Sequence, residues 1–150
     1  MTSFKKILVP VDFSECSAQA LKHARGLAEK LGAKLDVLHA YDVPTFIPPH
    51  VVVMMGEVDA PLAEHAEHHA KQQLDDFLQK QGIGKDSNIE RRTLMGPPAL
   101  TLIEAAEEGN YDLIIMGTHG RTGLPRLVLG STAEKVVRGA PCAVLTIRSE

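Results

Sequence analysis

Several residue types are scarce in this sequence, and their scarcity removes whole classes of protein. The chain has no tryptophan, two tyrosines, four phenylalanines and two cysteines among its 150 residues. Cys16 and Cys142 lie far apart and form no C-x-x-C motif, which argues against the usual zinc and redox centres. We expect both to be buried free thiols, the ordinary state of an unpaired cysteine in a folded domain.

The sequence also lacks long apolar runs and an excess of basic residues. The apolar run 51–55 is far shorter than the ~20 residues that a membrane-spanning helix needs. The first residues show no apolar stretch before a small-residue cleavage site. The formal net charge of -3 leaves no broad basic surface for nucleic-acid phosphates. We therefore expect a cytoplasmic protein that binds neither membranes nor nucleic acids.

What the sequence does contain is the composition of an ordinary soluble domain. Hydrophobic residues make up 44% and charged residues 23%, close to the averages of globular proteins. A chain of 150 residues has the common size of one domain with one core. Since no repeat or linker divides it, we interpret residues 1–150 as a single domain.

Predicted strands alternate with predicted helices along the chain. Apolar runs without alternation predict strands covered on both faces, and apolar residues at three- and four-residue steps predict amphipathic helices. Strands are expected at 6–11, 34–40, 89–94, 112–116 and 143–147, and helices from 14 to Gly32, from 61 to Gly82, at 98–108 and at 131–138. Asp59 is the expected cap of the second helix, with Pro61 in its first turn. This order is typical of an α/β domain with a parallel sheet.

The segment 42–60, between the second strand and the second helix, is rich in residues that break regular structure. These residues are Pro44, Pro48, Pro49 and Gly56. Their density predicts a long connection without a regular element. The apolar stretch 51–55 inside it either packs against the edge of the sheet or forms a lid over a ligand or a partner-binding patch, and the sequence leaves both interpretations open.

Ligands of open parallel sheets bind at the carboxyl ends of the strands, where the winding of the chain reverses. In this sequence that edge carries Asp12 after the first strand, Ala40 at the end of the second, and the loop after Met116. Asp12 has a second interpretation, because an aspartate after a strand often makes an Asx turn into the following helix. The residues alone favour that structural role for Asp12.

The loop after Met116 carries the pattern G-x2-G-x9-G-S-T. The pattern consists of Gly117, Gly120, Gly130, Ser131 and Thr132. Glycines let the backbone approach an anion closely, and free N–H groups at the start of the following helix favour a phosphate. Arg121, Arg126 and a bound magnesium ion would add local positive charge. The alternative is that the glycines only turn the chain and that Ser131 only caps the helix, and the pattern alone does not decide between them.

Two other phosphate-binding patterns are missing. Neither G-x-x-x-x-G-K-[ST] nor a G-x-G-x-x-G after a strand occurs in the sequence. A P-loop enzyme and a dinucleotide-dependent oxidoreductase are therefore disfavoured.

Two segments together resemble the ATP-binding branch of the universal stress protein family. They are VPVDFSE at the end of the first strand and MGTHGRTG, followed downstream by GST. The resemblance covers nearly the whole chain. It implies a single doubly wound α/β domain whose five parallel strands have the order 3-2-1-4-5, with four helices on both faces of the sheet.

The resemblance also implies a site for ATP with Mg²⁺. In that site Asp12 bonds the ribose hydroxyls, Ala40 contacts adenine through its backbone, and the residues of the glycine pattern surround the phosphates. The full set of implied nucleotide-binding residues is Pro10, Asp12, Ala40, Gly117, Gly120, Arg121, Thr122, Gly130, Ser131 and Thr132. Ala40 stands where valine is frequent in the family, which loosens the packing of the base without removing the backbone contact. No catalytic residue and no metal held by protein side chains are implied.

The histidines are not counted among these site residues. His39 in the second strand is interpreted as a hydrogen-bonded core residue, whereas His119 either touches phosphate or faces water. His65, His68 and His69 include a pair one helical turn apart, but their charged neighbours indicate a solvated face. At most, adventitious nickel or zinc is expected there.

Three functions are compatible with these features. The first is an ATP-binding regulatory or stress-response protein that is not an enzyme, in which nucleotide occupancy changes partner choice. The second is a slow ATP-hydrolysing or self-phosphorylating enzyme, although no nucleophile–base series stands out. The third is a nucleotide-free dimeric scaffold, which the complete glycine pattern disfavours.

The last strand, Ala143–Ile147, is the expected site of assembly. The winding that the resemblance implies places this strand at the edge of the sheet, and it carries no charged residue. An uncharged edge strand exposes unpaired N–H and C=O groups that an antiparallel two-fold contact would satisfy. We therefore expect a homodimer that pairs through this strand.

Overall fold

The computed structural model describes residues 3–43, 46–48, 50–55, 58–119 and 128–149. In these residues the chain forms β1 (Lys6–Pro10), α1 (Glu15–Leu31), β2 (Lys34–Tyr41), β3 (Val52–Met55), β4 (Val58–Pro61), α2 (Leu62–Lys80), β5 (Glu90–Met95), α3 (Pro98–Glu108), β6 (Leu113–Gly117), α4 (Ser131–Gly139) and β7 (Ala143–Ile147). None of the described helices is long and apolar enough to cross a membrane.

Five of the strands form one parallel sheet in the order β5-β2-β1-β6-β7. Counted along the chain, this is the predicted order 3-2-1-4-5. Helices α1 and α2 cover one face, and α3 and α4 cover the other. The expectation of a doubly wound α/β fold with four helices on both faces is confirmed.

The central strand β1 is buried on both faces, which explains why its sequence shows no alternation of apolar and polar residues. Ile7, Leu8 and Val9 are all 0% exposed. Ile7 and Val9 belong to the core beneath α1, with Leu21, whereas Leu8 belongs to the core on the other face, with Leu102 of α3. Two separate cores therefore meet at β1.

The prediction that segment 42–60 contains no regular element is wrong. Strand β3 pairs antiparallel with β4 and forms a two-stranded sheet of its own. The prolines 44, 48 and 49 precede this hairpin, and Pro61 is the last residue of β4, where a missing N–H is tolerated. The density of these residues gave a wrong prediction because the three prolines precede the hairpin and Gly56 falls between its two strands in the sequence, so none of them interrupts a strand.

The hairpin packs on α2 and leaves an apolar surface exposed. The imidazole Nε2 of His65 in α2 lies 2.9 Å from the Val53 carbonyl oxygen, the distance of a hydrogen bond. On β3, Val52 is 62% and Met54 is 71% exposed. Strand β3 pairs with β4 and not with the main sheet, so stretch 51–55 is not a further strand of that sheet.

The predicted start of α2 is also wrong. Asp59 lies in β4, and the helix begins at Leu62 with Pro61 in the N-cap position and no side-chain cap hydrogen bond. Asp59 and Pro61 fit a capping pattern, but strand pairing with β3 uses the same residues. Tertiary pairing therefore overrides the local helix-start signal.

Helix α1 begins and ends as the sequence predicts. Ser14 is the N-cap, and its hydroxyl accepts a hydrogen bond from the Ser17 N–H at 3.2 Å. Gly32 takes the left-handed conformation at φ 63° and donates its N–H to the Ala28 carbonyl, as glycine commonly does after a helix.

A buried carboxylate lies on the α3 side of the sheet, near the amino ends of the strands. Asp36 in β2 is 1% exposed and accepts a hydrogen bond of 2.6 Å from the Tyr111 hydroxyl. Its other oxygen lies 3.6 Å from Lys34 Nζ. Burial, together with the hydrogen bond to Asp36, raises the pKa of Tyr111 to about 12.

We expect Tyr111→Phe to lower the free energy of unfolding by about 1–3 kcal/mol at pH 7, because a buried carboxylate oxygen loses its donor. The unfolded chain releases the Tyr111 proton near pH 10, whereas the folded chain holds it to about pH 12. The stabilisation by Tyr111 is therefore complete below pH 10 and is lost between pH 10 and 12. Urea unfolding of the wild type and of Tyr111→Phe between pH 7 and 12 measures the difference in their free energies of unfolding. A difference that stays constant up to pH 12 would contradict the assignment.

Candidate functional site

A cavity of about 250 Å³ opens at the carboxyl ends of β1, β2 and β6. From β1 the sheet continues through β2 to β5 on one side and through β6 to β7 on the other, so the cavity lies where the winding reverses. Seven of the predicted site residues line it: Pro10, Asp12, Ala40, Gly117, Gly130, Ser131 and Thr132. Gly120, Arg121 and Thr122 lie outside the described residues.

Asp12 follows the end of β1 and makes the Asx turn that the sequence suggested. Its Oδ1 accepts a hydrogen bond from the Ser14 N–H at 3.0 Å, and the Ser14 hydroxyl donates to the same oxygen. This turn leads directly into the N-cap of α1. An ionised carboxylate has about four acceptor positions on its two oxygens, so the turn is compatible with a further hydrogen bond from a ligand.

Phe13, between these two residues, has a positive φ of 68°, which is rare for a bulky side chain. Its ring lies 4.2 Å from that of His39 and 5.5 Å from that of Phe77, measured between centroids. The Nδ1 of His39 is 2.8 Å from the Val11 carbonyl oxygen, and His39 is 8% exposed. The interpretation of His39 as a hydrogen-bonded core residue is confirmed, and this packing holds the turn that carries Asp12.

The backbone of Ala40 faces the space beyond the end of β1. The Leu38 carbonyl accepts a hydrogen bond from the Val11 N–H at 2.9 Å, so Leu38 directs its backbone groups toward β1. Ala40 is two residues further along β2 and directs its own to the same side. The paired register of β1 and β2 ends at Pro10 and Leu38. The N–H and C=O of Ala40 therefore point past the end of β1, toward the cavity.

Gly117, at the end of β6, is pressed against the first turn of α1. A Cβ on Gly117 would lie 2.7 Å from the Cys16 sulfur and 3.1 Å from the Cys16 carbonyl carbon and oxygen. The packing of the fold therefore favours glycine at this position, apart from any ligand. The glycine pattern suggested either a ligand contact or a turn of the chain at Gly117, and nothing in it shows that Cys16 packs there.

Gly130 joins the glycine loop to α4. Its N–H donates to the Thr118 carbonyl at 2.7 Å, and an added Cβ would lie 2.9 Å from the same oxygen. Gly130 is the N-cap residue of α4, and no side chain caps this helix among the described residues. The N–H groups of Ser131 and Thr132 thus begin a helix whose positive end lies at the cavity, an arrangement that favours an anion.

Several lining residues were not predicted from the sequence. Thr118 and His119 follow Gly117, and the Thr118 hydroxyl lies 2.9 Å from His119 Nδ1. Pro98 and Leu102 of α3 form part of an apolar wall. His119 was considered for phosphate contact, whereas the α3 residues gave no signal because they reach the cavity only through the crossing of α3 over the sheet.

Metal-ligand clustering is not found in the part of the chain that the structure describes. No three His, Cys, Asp or Glu side chains come together there in a way that would hold a metal ion. Of the histidines on α2, His65 makes its hydrogen bond to the hairpin carbonyl of Val53.

The two cysteines lie at opposite ends of β7. The Cys16 thiol donates to the Ile147 carbonyl at 3.4 Å, at the end of the strand, whereas Cys142 directly precedes its first residue. Both thiols are free; Cys16 is buried and Cys142 is half-buried.

Comparison with known proteins agrees with this architecture. The model of the universal stress protein family matches residues 3–148. The chain belongs to this family. A universal stress protein of Methanocaldococcus jannaschii is 34% identical over 97% of this chain and 82% of its own length.

Solved universal stress proteins share the fold over nearly the whole chain. The protein UspA of Lactobacillus plantarum is 27% identical with a TM-score of 0.73, over 99% of this chain and 100% of its own. A universal stress protein solved in complex with cAMP is 24% identical with a TM-score of 0.63, again over 99% of this chain and 100% of its own. The resemblance to the universal stress protein family is therefore confirmed at the level of the family.

The packing of Gly117 can be tested with a matched glycine in the same protein. We expect Gly117→Ala to lower the free energy of unfolding by about 1–3 kcal/mol, because the new methyl group overlaps Cys16. A methyl group on Gly26, inside α1, would meet no atom of another element within 4 Å, so Gly26→Ala should raise it by about 0.5–1 kcal/mol through helix propensity. Chemical denaturation measures both, and equal effects of the two substitutions would contradict the packing role.

Proposed function

We propose that this universal stress protein binds ATP and acts as a homodimeric, cytoplasmic regulatory protein of one domain, without being an enzyme. The observation that carries the proposal is the convergence of three groups on one cavity. These are the carboxylate of Asp12, the outward backbone of Ala40 and the uncapped start of α4. Each offers what one part of a nucleotide needs.

The phosphates are assigned to the start of α4. There the N–H groups after Gly130 and the positive end of the helix supply hydrogen bonds and partial charge without basic side chains. Arg121, with Gly120 and Thr122, is proposed to complete the phosphate site. With no acidic cluster among the described residues, Mg²⁺ would be held mainly by phosphate oxygens and water, as is usual for this ion.

The nucleoside is assigned to the ends of β1 and β2. The ribose hydroxyls donate to Asp12, beside Pro10, and adenine offers a donor and an acceptor to the backbone of Ala40. The apolar wall that includes Leu102 gives the base a surface to pack on. The cAMP complex of a protein with the same fold holds an adenine nucleotide, and this supports the same ligand class here.

Ser131→Glu separates binding from folding. An acidic residue in the first turn of a helix is stabilising by about 0.3–1 kcal/mol, whereas the same carboxylate repels a phosphate. We therefore expect the nucleotide-free variant to unfold at or slightly above the wild-type temperature. Mg-ATP at 100-fold its Kd should stabilise the wild type by about 2.7 kcal/mol, a shift of roughly 5–10 °C, and the variant not at all.

Lys135→Glu is the control for this experiment. Lys135 is exposed on α4 beyond its first turn, so its substitution makes the helix more acidic without placing charge at the free N–H groups. The Lys135→Glu protein should keep most of the rise in melting temperature that Mg-ATP causes in the wild type. Acid extraction must first show that the purified protein carries no adenine nucleotide. A wild-type melting temperature unmoved by millimolar Mg-ATP would rule out the ATP assignment.

Dimerisation is proposed through the outer edge of β7. The Ile147 carbonyl accepts a hydrogen bond from the Thr118 N–H at 3.0 Å, so Ile147 faces the β6 side. Backbone N–H and C=O groups alternate in direction along a strand. Those of Leu145 therefore also point to β6, whereas those of Val144 and Thr146 point to the open edge. A two-fold axis at Leu145 would pair Val144 with Thr146 of the partner subunit.

Apolar side chains flank this edge on both faces of the sheet. Leu145 is 41% exposed beside α1, and Val137 of α4 is 47% exposed on the other side. No charged residue lies in the strand to discourage pairing. Strand pairing and the burial of these flanking groups together support a two-fold contact.

Two proline substitutions test the interface. Thr146→Pro removes an N–H from the open edge only, so we expect a folded monomer in place of the dimer. Leu145→Pro removes an N–H from the β6 side, so it should lower the stability of the fold itself. Light scattering gives the mass, with the chain at 16.3 kDa. A Thr146→Pro protein that remains fully dimeric at low micromolar concentration would exclude this strand as the interface.

A further inference from the structure

The last residue of β7 is bonded to two elements that frame the cavity. The Ile147 carbonyl oxygen accepts a hydrogen bond from the Thr118 N–H at 3.0 Å and another from the Cys16 thiol at 3.4 Å. Thr118 is 5% and Cys16 is 4% exposed. Both donors are therefore buried, whereas Ile147 is half-buried, and a buried donor that loses its acceptor is costly.

From Thr118 the connection continues to the start of α4. The Thr118 carbonyl accepts the Gly130 N–H at 2.7 Å, and Gly130 is the N-cap of α4. Thr118 itself lines the cavity. The helix end assigned to the phosphates is thus two backbone hydrogen bonds away from Ile147.

From Cys16 the connection reaches the other wall of the cavity. Cys16 lies in the first turn of α1 and packs against Gly117, where a Cβ would lie 2.7 Å from its sulfur. The neighbouring residue Ser17 lines the cavity. The start of α1, the end of β6 and the start of α4 are therefore all held by the end of one edge strand.

We propose that β7 positions the walls of the cavity, and that pairing along β7 and occupancy of the cavity favour each other. The inference rests on the proposed function and adds its regulation. An added strand on the outer edge of β7 restricts its backbone, including Ile147, and a bound nucleotide restricts Thr118 and Gly130. Strand pairing and nucleotide binding each order part of the same backbone. The event that occurs second therefore has less conformational entropy left to lose, and its affinity is higher.

The coupling is measured as the dimer dissociation constant without nucleotide divided by the constant with saturating Mg-ATP. Sedimentation of the wild-type protein with and without saturating Mg-ATP should show a dimer constant that falls at least about fivefold on nucleotide binding. By reciprocity, and because one dimer carries two nucleotide sites, the ATP dissociation constant of each site should be lower by the square root of that factor, about twofold, at protein concentrations where the dimer predominates.

The two cysteines provide a matched pair of variants at opposite ends of β7. Cys16→Ala removes one of the two bonds to Ile147 and should reduce the ratio about twofold or more. Cys16→Ser keeps a donor and should restore it. Cys142→Ala changes the far end of the strand, away from the cavity, and should leave the ratio unchanged.

The outcomes separate the coupling from the function on which it rests. A protein that does not bind ATP, or that stays monomeric, would overturn the proposed function and the coupling together. ATP binding and dimerisation with an unchanged dimer constant would overturn the coupling alone. A Cys16→Ala protein that keeps the full wild-type ratio, or a Cys142→Ala protein that loses it equally, would also overturn the proposed connection through Ile147.

Discussion

The hydrogen bond from the Val11 N–H to the Leu38 carbonyl is the point on which the site depends. Among the described residues it is the last backbone hydrogen bond between the end of β1 and β2, and beyond it the two strands part. The chain turns at Asp12 into α1, while β2 continues to Tyr41. Because the central strand stops first, the backbone of its neighbour is left facing an open space. The cavity is therefore a product of unequal strand lengths at the centre of a parallel sheet.

The early turn after β1 is held by features that no single sequence pattern joins. Phe13 adopts a backbone conformation unusual for its size, and such a conformation persists only where its surroundings fix it. Here Ser14 caps α1 and bonds Asp12, and the Phe13 ring packs against His39. The partly buried Phe13 ring therefore packs on the α1 face of the sheet, while Asp12, one residue before it, lines the cavity.

Much of this architecture was predictable from the sequence, because β1 and β6 are apolar runs buried on both faces and the helices have clear periodicity. The convergence of Asp12, Ala40 and the glycine loop followed from topology alone. The β3–β4 hairpin was missed because its surroundings are rich in proline, and the start of α2 was misplaced because Asp59 and Pro61 carry helix-start chemistry that strand pairing overrides. The packing of Cys16 on Gly117 joins residues distant in the chain, and local patterns do not report such contacts.

The order of strands also governs how large an assembly this sheet can make. One edge is β7, and the other is β5, which carries Glu90, Arg91 and Arg92. Arg91 is further engaged by Asp75 of α2 at 2.7 Å. If two copies join through β7, the combined sheet has ten strands and ends on both sides in a charged β5. Because charged edge strands resist further addition, we expect such a sheet to stop growing at two subunits.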